Sequence, residues 1–88
     1  MDWERVVEKY RYEYLRRLAI EHHILEVHAK LQKALADDEC PFRKEEFMKE
    51  LADLHLLLCM HCIHDRDFAE LVERRKARFV EKLEREAK

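Results

Sequence analysis

Glycine is absent from this chain, and proline occurs once, at Pro41, in 88 residues. These two residues mark most tight turns, so their scarcity argues against hairpins and sheets. No sustained alternation of apolar and polar residues signals a strand either. Cysteine is sparse and odd in number, at Cys40, Cys59 and Cys62. With no signal peptide, that count suggests reduced thiols in a cytoplasmic protein, not a disulfide framework. Long apolar runs are missing too: the stretch from Leu54 to Ile63 is broken by His55 and His61 and is too short for a membrane span. Neither charge sign dominates, since 18 basic and 20 acidic residues leave a net charge of −2. Duplex nucleic acid is therefore disfavoured as a partner, because its binding rests on clustered Lys and Arg. The one basic run, Arg74-Arg75-Lys76-Ala77-Arg78, reads first as a solvated helix face.

Charge itself is abundant, at 43% of residues with both signs mixed. That pattern suits solvated helix faces and a thermostable surface. The length allows one domain with a small core, which self-association would supplement. We expect an all-α fold of three helices over residues 2–36, 42–64 and 68–87. Asp37-Asp38-Glu39-Cys40-Pro41 separates the first two, with Pro41 in the first turn of the second helix and Cys40 or Asp38 near its cap. Asp65-Arg66-Asp67 forms the next turn, and Asp67 followed by Glu70 resembles a capping box.

Helical spacing assigns the faces. On the second helix Phe47, Leu51, Leu54, Leu58 and Cys62 share one side, and Met48, Ala52, His55, Leu56, Cys59 and Ile63 widen the apolar arc past half the circumference. A helix with so wide an arc is covered on two sides. The first helix also has two apolar sets: Val7, Tyr14, Leu18, Leu25, Ala29 and Ala36, and then Ile20, Ile24, Val27, Leu31 and Leu35. At 1.5 Å per residue it would reach about 50 Å, well past its partners, unless it bends. A homodimer or higher homo-oligomer, with this helix in the interface, would complete the bundle.

Glu50-Leu51-Ala52-Asp53 sets two carboxylates one turn apart on the polar edge of that mostly apolar second helix. Their mutual repulsion is relieved by a cation, and Mg²⁺ or Mn²⁺ takes such oxygens. The plain alternative is a solvated face carrying Glu46, Lys49, Glu50 and Asp53. On the first helix Glu21 and His28 stack two turns apart, flanked by Arg17 and Gln32, and a structural Arg17–Glu21 pair would also satisfy them. If this strip faces Glu46, Glu50, Asp53, His61 and His64, ligands converge between helices. A softer ion could instead use His55, Cys59 and Cys62, although such residues on an apolar face are more often core.

The chain resembles the all-α nucleotide pyrophosphohydrolases, the MazG-like and phosphoribosyl-ATP-pyrophosphatase-like superfamily, over roughly residues 18–83. Glu50-Leu51-Ala52-Asp53 is similar to the family's second metal motif, Glu-x-x-Asp, and Asp67-Phe68-Ala69-Glu70-Leu71-Val72-Glu73 through Lys76 and Phe79 looks like its following helix. The first motif, Glu-x-x-Glu, is incomplete. One register aligns Glu21 and places Ile24 at the second acid; the other, His23-Ile24-Leu25-Glu26, keeps only the second. We favour Glu21, because that register puts Leu18 and Leu25 in the core, with His28 as a substitute ligand.

The resemblance implies Mg²⁺ or Mn²⁺ held by Glu21, Glu50, Asp53 and His28, with Glu50 and Asp53 in the catalytic role. It implies hydrolysis of a nucleoside triphosphate to monophosphate and pyrophosphate, with Glu46, Lys76 and Arg78 serving the substrate. An inactive relative, a homo-oligomeric interaction module and a His/Cys metal-binding bundle are the alternatives.

Overall fold

The computed structural model describes residues 2–87. Among them the chain forms α1 (Trp3–Lys9), α2 (Glu13–Ala36), a 3₁₀ turn (Pro41–Arg43), α3 (Glu45–His64) and α4 (Arg66–Glu86), and no strand. The fold is all-α. No helix among the described residues is long and apolar enough to cross a membrane.

The helix expected over 2–36 is instead two helices, parted at Tyr10–Tyr12 without glycine or proline. Arg16 accounts for the break. Its Nη1 donates to the carbonyls of Tyr10 at 2.8 Å and Arg11 at 2.7 Å, the cap and linker residues that follow α1. Tyr12 then takes an extended conformation and starts α2. From the other end of the chain, His64 Nε2 donates to the Val7 carbonyl at 2.8 Å. The fold-back half-buries Val6, Val7 and Tyr10, which a straight helix would leave in solvent.

The end of α2 at Ala36 is as expected, and two later boundaries differ. α2 ends in a Schellman turn, with Asp38 N–H bonded to the Leu35 carbonyl and Glu39 N–H to that of Ala34. Asp38 sits there at φ 54°, a conformation usually given to glycine. Pro41 opens the 3₁₀ turn, with Cys40 at its cap, and α3 begins only at Glu45. Lys44, between them, pairs with Glu39 at 2.6 Å, which raises the lysine above its ordinary pKa mainly through that hydrogen bond. At the last junction Asp65, not Asp67, caps α4, accepting from Phe68 N–H at 3.0 Å, so α4 starts two residues early.

α3 is the central helix: α2 packs along it, and α4 packs against it on leaving the Asp65 turn. Ala34, Phe47, Leu57 and Met60 are the buried apolar side chains, and Arg16 is the buried charged one. On α2, Ile20, Val27 and Leu31 are half-buried. Leu18, Ile24, Leu25 and Leu35 from the two apolar sets are exposed. Every described residue of α4 from Glu73 onward is exposed as well.

Candidate metal-binding groove

Residues 16, 23 and 30 recur every seventh position of α2 and therefore share one side of it. They are Arg16, His23 and Lys30, set among the half-buried Ile20, Val27 and Leu31. Seven-residue spacing of polar residues inside an inward-facing apolar stripe was the signal that could have identified Arg16 and His23 from sequence.

Opposite His23 lie Glu50 and Asp53 of α3. His23 donates Nδ1–H to Glu50 Oε2 at 3.1 Å, and both side chains are about three-quarters buried. A ligand atom from each of His23, Glu50 and Asp53 lies within 4.8 Å of the other two. Asp53 stands at the solvent edge, so the group opens to one side. The donor set is one imidazole and two carboxylates. It fits Mn²⁺ better than Mg²⁺, which prefers oxygen alone.

Of the expected ligands, the structure thus brings Glu50 and Asp53 together and leaves two others elsewhere. Glu21 pairs with Arg17 at 3.5 Å on the exposed side of α2. It borders a separate cavity of about 200 Å³ beside Ile20 and His61. His28 is exposed, away from the groove. The register that faces α3 is the one with His23 and Glu26, the latter half-buried one turn further on. Burial of Leu18 and Leu25 was the reason to favour Glu21, yet they are 52% and 69% exposed.

The substrate residues divide. Glu46 borders a cavity of about 240 Å³ floored by Phe47 and ringed by Lys30, Lys33 and Lys44. It lies one turn from Glu50 along α3. Lys76 instead pairs with Glu73 at 3.0 Å. Arg78 borders a concavity formed by α4's own Arg75, Phe79, Lys82 and Arg85. Neither belongs to the groove within one chain.

A second polar group links the helices. Arg16 Nε donates to His61 Nδ1 at 3.0 Å, which leaves the His61 proton on Nε2, 3.5 Å from Asp65 Oδ2. The same aspartate caps α4. This chain of contacts ties α2, α3 and α4 together and leaves no buried side-chain polar atom unpaired among the described residues. On the far side of α3, His55 Nε2 and Cys59 Sγ lie 3.5 Å apart, both exposed, while Cys62 is half-buried.

Comparison with protein-family models, curated proteins and solved structures finds no match to the chain.

Proposed function

We propose that this chain binds a divalent cation, Mn²⁺ in preference to Mg²⁺, between α2 and α3, and hydrolyses a phosphoanhydride of a nucleoside triphosphate as a homodimer. The observation that carries this reading is the convergence of His23, Glu50 and Asp53 between α2 and α3, with Asp53 exposed to solvent. A closed cluster would serve structure alone; an open one leaves room for substrate.

Glu50 and Asp53 supply negative charge, and His23 supplies a nitrogen once its Nδ1 proton has moved to Nε2. When bound, the ion supplies charge that polarises a phosphoanhydride and acidifies water. Lys30 lies two turns from His23, about 10 Å along α2 on the same side. That is suitable reach for the far end of a polyphosphate, and Lys33 adds positive charge beside it. Glu46 and Asp37 limit the net charge of that cavity, and Glu46 offers an acceptor to a sugar or base.

The assay is pyrophosphate release from a nucleotide panel with Mn²⁺ and with Mg²⁺. Glu50→Gln should lower release by about 100-fold or more. Equal release by both proteins would refute the reading.

A second reading, a non-catalytic self-associating module, is favoured by one observation. The chain exposes 7501 Å², against about 5,600 Å² for a compact monomer of this mass. This reading expects a firm oligomer whose melting temperature is indifferent to Mn²⁺ and nucleotide.

A further inference from the structure

The outer face of α3 carries an arrangement that neither the groove nor the core uses. Met48, Ala52, His55, Leu56, Cys59 and Ile63 are all exposed. At 100° per residue they fall within an arc of about 100°, opposite the buried Leu57. From Met48 to Ile63 the stripe holds no charged side chain. His55 and Cys59 lie midway along its length, 3.5 Å apart from Nε2 to Sγ. That spacing has a chemical meaning. A tetrahedral Zn²⁺ with bonds of about 2.05 Å to nitrogen and 2.3 Å to sulfur sets such ligands about 3.6 Å apart. The two side chains, hydrogen-bonded to each other as they stand, keep the separation that half of such a site needs.

We propose that two copies of this chain pack through the outer faces of α3 and share one Zn²⁺ held by His55 and Cys59 of each copy. A tetrahedral structural site needs four ligands. No third His, Cys, Asp or Glu joins this pair within one chain among the described residues. A two-fold axis between His55 and Cys59 supplies the missing pair without any other partner. Each thiol gives up its proton on binding, so one ion releases two protons to solvent.

Area and charge also favour a second copy as the occupant. The exposed surface of the whole chain, the projecting α4 included, exceeds the compact-monomer value by roughly 1,900 Å², which leaves room for the 800 Å² or so per partner of a standard interface. The radius of gyration, 16.1 Å, exceeds the value of about 12 Å for a compact chain of this length. An uncharged stripe on an otherwise charge-dense protein matches a copy of itself and offers nothing to an anionic surface. The inference takes the homodimer of the proposed function and names its surface, but its metal residues are separate from the groove.

The test uses the full chain without a histidine tag, under a non-thiol reductant. Sedimentation should give a dimer with Zn²⁺, and chelation should weaken association by at least about tenfold. Co²⁺ in place of Zn²⁺ should saturate at one ion per two chains and show thiolate charge-transfer absorption with intense tetrahedral bands. Cys59→Ser and His55→Ala should each remove those bands while helical content stays unchanged; Glu50→Gln should retain them. Leu56→Glu should yield a folded monomer. A monomer with and without Zn²⁺, a Co²⁺ spectrum without thiolate bands, or bands that survive Cys59→Ser would each overturn the proposal. A monomer would remove the dimer from both readings, whereas loss of the bands with Glu50-dependent pyrophosphate release intact would overturn this one alone.

Discussion

Arg16 and His61 meet across 3.0 Å, the arginine Nε–H donating to the histidine Nδ1. The same guanidinium binds the two carbonyls that follow α1, so one buried side chain sets both the elbow and the α2–α3 contact. Arg16→Ala should destabilise the fold by about 3 kcal/mol, since it orphans two carbonyls and one ring nitrogen. Arg16→Lys should recover only part of that, because an ammonium lacks the planar fork. Urea unfolding at fixed chain concentration measures both. A loss within about 0.5 kcal/mol for Arg16→Ala would show that the elbow does not depend on this residue.

Asp38 holds φ 54° at the end of α2. Asp38→Gly should leave the turn intact and raise stability by about 0.5 kcal/mol, and Asp38→Val should lower it by 1 kcal/mol or more, on the order of the left-handed penalty. Thermal melts of the two variants should move in opposite directions. A stabilising valine would contradict the turn geometry.

The Lys44–Glu39 pair carries a pH signature. Because the folded lysine is raised above its ordinary value, its contribution is fully present below that value and fades as pH rises through the raised one. The pair is solvent-exposed, so the effect on stability is small. The readout is the titration of the Lys44 side chain by NMR, which should shift downward in Glu39→Gln. No shift between the two proteins would dismiss the pairing.

The all-α class was readable because apolar residues recur at helical spacing with no glycine to interrupt them. The covering of α3 was not: Leu57 and Met60, which lay in neither apolar set, are buried beside Phe47, while Met48, Leu56, Leu58 and Ile63 are exposed. The break at Tyr10–Tyr12 was not, since its causes are Arg16, five residues past Arg11, and His64, on another helix. Local propensity carries no trace of such contacts.

At the groove, Glu50 and Asp53 stood out as a pair one turn apart, but their partner on α2 did not. Glu21 and His23 differ by two positions, a rotation of about 200°, so the choice between them turned on which leucines are buried. Leu18 and Leu25 looked like core of one chain, yet they are exposed in it. Apolar periodicity marks a face as apolar, without saying whether anything covers it.

Occupancy of the groove is the central claim, and Mn²⁺ titration followed by electron paramagnetic resonance tests it most directly. The protein should carry His55→Ala and Cys59→Ser so that only the groove remains. The account predicts one tight Mn²⁺ per chain, lost in Glu50→Gln and weakened about 10- to 100-fold in His23→Ala. Identical Mn²⁺ binding by all three proteins, or none by any, would contradict it.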